Sequence, residues 1–290
     1  MDERIGLVVV AYGDTSQTLL DLVREWGRQE SAPQHAYVVA NSPVADTSAL
    51  ARCTTVLEPT RNLGFTGGVN LGARAAAADG CTHLLLSNVD VRLLSPFIVK
   101  GLLGVLRRHP EAVAVSPGIV MWPDVARVWY RGARLYRPGW IAHHPSIGRR
   151  WRDRGRAEVR TGYFSGCCAL VDLKRFLALD GFDESLFMYY DEAEFSIRAA
   201  ARGWTCWVLD EPLVGHEKTG RKFSAVEAYW HARNTRILLA RHERGRRRAL
   251  GAVVQLAVLP LQLGRCESWR ARRAYLRGYA LGKDFSGEPR

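Results

Sequence analysis

Three acids fall within four residues in "MYYDEAEF" (188–195), at the head of a segment whose composition favours a helix. Acids in a first turn complement the helix macrodipole, and capping explains two of the three. Asp191 is placed as N-cap, with Glu194 three residues on completing a capping box and Arg198 a further turn away as its ion-pair partner. Glu192 is left without a structural task. It is therefore the candidate general base, a carboxylate that takes a proton from an attacking group within hydrogen-bond reach. A fourth acid, Asp90, directly follows the apolar run in "LLLSNVD", where a turn aspartate is the ordinary reading. His216, in "GHEKTG", lies in a loop after a strand. It is a candidate metal ligand, although a lone histidine is more often structural. Finally, "RNLGFTGGVNLGARAAA" (61–77) sets Gly64, Gly67 and Gly68 ahead of an alanine-rich helix. The spacing is not GxGxxG, and no Gly-Lys-Ser/Thr follows, so neither familiar phosphate cradle applies.

These residues need elements to hold them. "IGLVVVAY" (5–12) is a continuous apolar run, as expected of a strand buried on both faces. Asp14 or Thr15 is placed to cap a helix running to about Gln29, with Leu19, Leu22, Val23 and Trp26 on one stripe. Short strands are expected at 36–40, 54–58, 82–87 and 112–117, a helix over 68–78, and another starting at Ser95-Pro96 and running to about His109. Alternation of this kind implies a layered α/β fold with a mostly parallel central sheet flanked by helices. Ligands of such sheets bind beyond the carboxyl ends of the strands. Ala11 and Tyr12, Asn41, and Asn88 with Asp90 all fall at such ends. Residues 121–160 interleave Trp122, Trp129, Trp140 and Trp151 with arginine, proline and glycine. A strand and short helix over 162–184, helices near 192–202 and 224–241, and a strand at 205–209 complete the order.

The chain has 290 residues, 47% of them hydrophobic, enough for a real core. Its formal charge of +12 is concentrated between Arg127 and Arg160 and in "RHERGRRR" (241–248), which points to nucleic acid, anionic lipid or an anionic substrate. The charged start, Met1-Asp2-Glu3-Arg4, is unlike a secretory leader, and no stretch reaches the about 18–20 apolar residues of a membrane span. Six cysteines without a CxxC pair read as reduced thiols of a cytosolic protein.

Taken in order, "VVVAY", "RNLGFTGGVN", "LLLSNVDV", "GCCALVDLKRF…GFDESLFMYYDEAEFSIRAAARGW", "GHEKTG" and "YWHARN" resemble the family 2 inverting glycosyltransferases. The closest likeness is to their bacterial rhamnosyltransferase and galactofuranosyltransferase branch, with its GT-A fold. The resemblance covers residues 5 to about 242 and implies a catalytic domain there, with a nucleotide-sugar half (1–120) and an acceptor half (121–242). A basic, partly apolar helical extension (243–290) follows. It further implies that the glycine segment packs beside the nucleotide-sugar donor, with Arg61, Asn62, Gly64, Gly67 and Gly68 joining Ala11, Tyr12, Asn41, Asn88 and Asp90 as donor-binding residues. Asp90 matches the last acid of the family's DxD-type motif, which holds Mn2+ or Mg2+ on the donor diphosphate; Asn88 replaces the first acid, and His216 matches a histidine that completes the metal site. Asp191-Glu192 matches the acidic pair whose second member deprotonates the acceptor hydroxyl, although aspartate is usual at that second position. The family's usual Asp-Asn after the second strand is Ala40-Asn41 here, which leaves the nucleobase open.

The expected reaction is transfer of a sugar from a nucleotide-diphosphate donor to an acceptor hydroxyl by metal-assisted single displacement with inversion, in bacterial glycan or natural-product biosynthesis. The acceptor is a small molecule or a lipid-linked glycan, for which Trp122, Trp140 and Trp204 are the stacking candidates. Two other readings compete. A nucleotidyltransferase on a similar sheet would need a basic N-terminal nucleotide loop, which "VVVAYGD" does not supply. A nucleic-acid-binding protein would use the Trp/Arg-rich segment for stacking and phosphate contacts; the glycosyltransferase reading has no nucleic-acid partner. In the tail, residues 249–264 are apolar, interrupted by Gln255, Pro260 and Gln262, and flanked by arginines. Such a stretch suits an interfacial anchor, placing a cytoplasmic enzyme peripherally at the inner face of the membrane, or else a contact with the catalytic domain or a homodimer partner.

Overall fold

In the computed structural model, residues 3–44, 47–155, 157–217 and 222–281 are described. The first half alternates as expected: β1 (Ile5–Ala11), α1 (Ser16–Trp26), β2 (His35–Ala40), β3 (Thr55–Leu57), α2 (Gly64–Ala78), β4 (His83–Ser87), β5 (Val91–Leu93), α3 (Ile98–Arg108) and β6 (Ala112–Met121). Short strands β7 (Val128–Tyr130), β8 (Arg134–Tyr136), β9 (Ile141–His143) and β10 (Glu158–Thr161) organise the Trp/Arg-rich segment. Then come β11 (Cys168–Asp172), α4 (Leu173–Leu177), a 3-10 turn (Glu184–Leu186), α5 (Asp191–Ala201), β12 (Thr205–His216), α6 (Ala225–His242), α7 (Gly245–Gly264) and α8 (Trp269–Leu281).

Local chemistry explains most boundaries. Thr15 caps α1 by accepting the Thr18 N–H, and the expected stripe of Leu19, Leu22, Val23 and Trp26 is buried. Ser95 does not cap the next helix; it accepts the Phe97 N–H in a turn, and α3 begins only at Ile98. At α6, Ser224 and Glu227 form a reciprocal capping box.

The main sheet runs β10-β12-β6-β11-β4-β1-β2-β3, with β5 on β12 and β7 on β6. The parallel part is β4-β1-β2-β3, joined in register by pairs such as Val9 with both Val38 and Ser87. β11 enters antiparallel between β4 and β6, while β12 runs parallel to β6, so the sheet as a whole is mixed. The antiparallel insertion brings the start of β11 to the edge where β4 ends: Cys168 faces Ser87. The same edge receives the end of β12, where His216 pairs with Val91 and Met121.

Alternate residues of the strands feed two cores. On one face Leu7, Val9 and Leu85 pack with α1 and α3. On the other, Val8, Leu84 and Leu86 pack with α2 and with Phe176 and Phe195 of α4 and α5. The α2 helix lies so close to β1 that a Cβ on Gly68 would stand 2.8 Å from Val10 Cγ1. The glycine segment is therefore first a packing device between helix and sheet.

Candidate active site

The carboxyl edge of the sheet gathers the residues that chemistry requires. Ala11 ends β1, with Tyr12 beyond it and 68% exposed. Asn88 follows β4, and its N–H donates to the Cys167 carbonyl at 2.9 Å, tying this strand end to the loop before β11. Two residues on, Asp90 Oδ1 lies 3.4 Å from His216 Nε2. The backbone fixes that approach, because the Glu217 N–H donates to the Asp90 carbonyl at 3.0 Å and Arg92 pairs with the Glu217 carboxylate. The imidazole of His216 is almost wholly buried and stacks on Trp129, ring centroids 4.2 Å apart and planes at 22°. Asp90 remains partly exposed, so the oxygen-and-nitrogen pair opens to solvent on one side.

This pair fits a small divalent cation. Ligand atoms at adjacent corners of an octahedron with bonds of about 2.1 Å lie about 3.0 Å apart, close to the separation here. Among the described residues no cluster of three or more His, Cys, Asp or Glu converges. A cation held by Asp90 and His216 would have to take its remaining ligands from a bound molecule and water.

The acids at the head of α5 differ from expectation. Asp191 does not cap the helix: the N-cap is Tyr190, in the left-handed region at φ 67°, and it makes no side-chain cap. Asp191 is the first helical residue, buried, with Oδ2 lacking any partner beyond the neighbouring Glu192 carboxyl. The Glu194–Arg198 pair is present, at 2.7 Å, and His242 also approaches Glu194. Capping therefore leaves both Asp191 and Glu192 free for other work. Glu192 Oε1 accepts the Gly166 N–H at 2.7 Å, one residue before the Cys167 that holds Asn88. Burial raises both carboxyls; Asp191 is pushed further by the Glu192 charge beside it, whereas the Gly166 N–H and the Asp191 carboxyl pull Glu192 back down. Burial thus favours a proton on the pair, with the stronger upward push on Asp191.

Sequence reasoning missed what builds this turn. Phe187, Tyr189 and Tyr190 all have positive φ (64°, 64° and 67°), a conformation non-glycine residues avoid. Asn234 of α6, fully buried, stabilises it: its Nδ2 donates to the carbonyls of Leu186, Met188 and Tyr189 at 2.8–2.9 Å. From the other side, the Thr66 N–H of α2 donates to the Phe187 carbonyl. Asn70 exchanges bonds with the Phe182 backbone, both 2.8 Å, and donates to Glu184. The "YWHARN" motif carried the signal for Asn234, but no local pattern names its partners.

The remaining candidates divide. Asn41 is spent on the glycine segment, donating to the Gly64 carbonyl and accepting the Leu63 N–H. Asn62 accepts the Gly64 N–H, and Arg61 is exposed beside it. Gly64, Gly67 and Gly68 are buried in the first turn of α2. Trp122 is held at this edge by its backbone N–H, which donates to the His216 carbonyl at 2.9 Å, and its ring lies beside Gly215. Two tryptophan expectations fail. Trp140 is buried among Leu186, Ile237, Leu238 and Leu239 with Arg137 over its ring, so no sugar can stack on it. Trp204 follows the far end of α5 and precedes Thr205, which pairs with Ala112 at the amino edge of the parallel strands, opposite the site. Trp129, seen in sequence only as part of a Trp/Arg mixture, is the ring that meets the site, and Trp151 is covered by Arg131.

No protein-family model matches the chain. Two curated relatives are N-acetylglucosaminyl-diphospho-decaprenol L-rhamnosyltransferases from two strains of Mycobacterium tuberculosis. Each is 30% identical over 204 residues, an alignment spanning 63% of this chain and 66%, just under two thirds, of the relative. Among solved structures, GalNAc-T7 with UDP, GalNAc and Mn2+ superposes with a TM-score of 0.65 at 10% identity, covering 97% of this chain and 56% of that one. The mannosyltransferase PcManGT from Pyrobaculum calidifontis, in complex with GDP-Man and Mn2+, gives 0.55 at 15% identity, covering 96% and 80%. At these identities the structures speak to fold alone. The chain thus has the GT-A fold of these glycosyltransferases, and over 63% of its length it is similar in sequence to the rhamnosyltransferases.

Proposed function

We propose that the protein transfers a sugar from a nucleotide-diphosphate donor to an acceptor hydroxyl by a single displacement that inverts the anomeric carbon, as in family 2. The observation that carries this reading is the joining of two groups through one loop. Gly166 holds the Glu192 carboxylate and Cys167 holds the strand end that bears Asp90. Glu192 takes the acceptor proton, and Asp191, carrying a proton of its own, steadies the Glu192 carboxylate. Asp90 and His216 would hold Mn2+ or Mg2+, which when bound neutralises charge on the departing diphosphate. One base and one cation site suffice for a single displacement. Tyr12 offers an exposed ring at the end of β1 for the donor, and Arg61 and Asn62 flank the same side through the glycine segment. Trp122 and Trp129 form the aromatic side of the site toward the acceptor.

The relatives' name favours an acceptor of their kind, a sugar on a polyprenyl diphosphate, over a soluble small molecule, and a deoxyhexose such as rhamnose as the transferred group. Work on such an acceptor belongs at the cytoplasmic face of a bacterial membrane, in glycan assembly. The test is to incubate the full chain with a panel of nucleotide-diphosphate sugars, Mn2+ and a lipid-diphosphate-linked N-acetylglucosamine, following nucleoside diphosphate release and the anomeric configuration of the product by NMR. Inverted product from one donor supports the proposal; a retained configuration, or no turnover with any donor, overturns it.

A further inference from the structure

The helix α7 packs Ala252, Leu259 and Leu263 against the protein but leaves a second apolar row outside. Toward the protein it places Gly251, against the Pro138 carbonyl and Leu239, and Gln255, whose amide donates to the carbonyls of Gly139 and Thr235 at 2.9 and 3.0 Å. Toward solvent it places Leu250, Val253, Leu256 and Leu261, each more than half exposed. A helix at the surface of a globular protein ordinarily exposes polar residues on its outer side. The helical path continues through Pro260, so the exposed row extends over the whole segment.

The charges around this row lie mostly in solvent. Arg246, Arg247 and Arg248 occupy the first turn, with Arg244 as N-cap and no acid among the first residues. Cations at a helix N-terminus oppose the macrodipole. Of these, Arg247 pairs with Glu243 at 3.2 Å, still well exposed. Beyond the other end stand Arg265, Arg270, Arg272, Arg273 and Arg277, all exposed, around Trp269, which is 72% exposed. No helix among the described residues is long and apolar enough to cross a membrane. An apolar row between cationic ends, with an interfacial tryptophan, matches the boundary between acyl chains and anionic headgroups.

We propose that the outer face of α7 docks on an anionic lipid bilayer, with Leu250, Val253, Leu256 and Leu261 entering the headgroup boundary. A chain of packed rings joins the end of α7 to the acid pair. Arg265, at the end of α7, lies over Phe223 at 4.3 Å; Phe223 contacts His231, and His231 contacts Tyr190, the residue before Asp191. Docking there brings the acid pair near the plane in which a lipid-linked hydroxyl is presented. The docking itself does not depend on the sugar chemistry, so its test is independent of turnover.

Flotation of the full chain with phosphatidylcholine vesicles, with and without phosphatidylglycerol, decides it. The expected result is salt-sensitive binding that requires phosphatidylglycerol. Replacing Arg246, Arg247 and Arg248 together by glutamine is expected to weaken it roughly 100-fold, at about fivefold (about 1 kcal/mol) per cation near an anionic leaflet. The double variant Val253→Glu, Leu256→Glu, which changes only exposed positions, should lose binding while keeping the parent's circular dichroism and nucleotide affinity. Absence of binding at low salt overturns the proposal. So does a double variant that binds as well as the parent. A parent chain that ignores vesicles but sediments as a dimer, made monomeric by the same double variant, would assign this face to a second copy instead.

Discussion

The Phe187 carbonyl sits where a side chain on Gly64 would begin, and the neighbouring Thr66 N–H donates to that same carbonyl. The glycine segment is thus the socket for the turn that carries the acid pair. Gly64 also has φ 68°, so an alanine there combines a steric clash with an unfavourable backbone. Gly64→Ala is expected to lower stability by about 2 kcal/mol or more, read as a lower urea midpoint at constant m-value. An unchanged midpoint would show that the turn moves freely off the glycine.

Glu192→Gln keeps the size of the side chain and removes its basicity. Transfer should fall at least ~100-fold, with donor binding by calorimetry and the unfolding midpoint retained. Asp191→Asn keeps a neutral hydrogen-bonding group where burial favours the protonated acid, so its loss should be much smaller. The reverse order of damage, with both variants folded, would exchange the two roles.

The raised carboxyls set a pH dependence. Glu192 must be ionised to accept a proton, so the acid limb of kcat/KM should lie above the ordinary glutamate value of about 4.3. For stability the sign is opposite. Asp191 is raised in the fold, so its contribution is fully present below the unfolded pKa and is lost as pH rises through the folded value. Asp191→Asn cannot ionise, and its stability relative to the parent should rise with pH from about 4 upward. A difference that is flat with pH would mean that Asp191 is not held protonated.

Chelation tests the Asp90–His216 pair. Transfer should stop in EDTA and return with Mn2+ or Mg2+. In calorimetry with nucleoside diphosphate present, Asp90→Asn should weaken Mn2+ binding by at least about tenfold, and His216→Ala by a smaller factor. Full turnover in excess chelator after dialysis would exclude the role.

Asn234, fully buried, acts on the acid pair only through the backbone of the turn before it. Asn234→Ala leaves three buried carbonyls without their donor, costing about 1–3 kcal/mol. If the role is positioning, kcat should drop while donor KM holds, and the acid limb of the pH profile should shift. A loss of stability with kcat and the pH limb unchanged would leave Asn234 structural only.

Much of this protein was legible along the chain because it depends on neighbours in sequence. Apolar runs made β1 and β4 doubly buried strands, Thr15 capped α1, and strand ends placed Ala11, Asn41 and Asp90 on one edge. The Glu194–Arg198 pair follows from helical spacing alone. What failed depended on partners far along the chain. Asp191 looked like a cap because its spacing to Glu194 is right, yet Tyr190 occupies that position in a left-handed turn clamped by Asn234 from α6 and Thr66 from α2. Trp129, Trp140 and Trp204 are chemically alike, and only the antiparallel β11 and the direction of β12 decide which of them reaches His216 and which lies at the opposite edge. Hydrophobic periodicity likewise marked 249–264 as apolar without saying which side faces water. That was decided by Gly251 and Gln255, the only buried residues of the helix, because close backbone approach and buried carbonyl partners exist on that side alone.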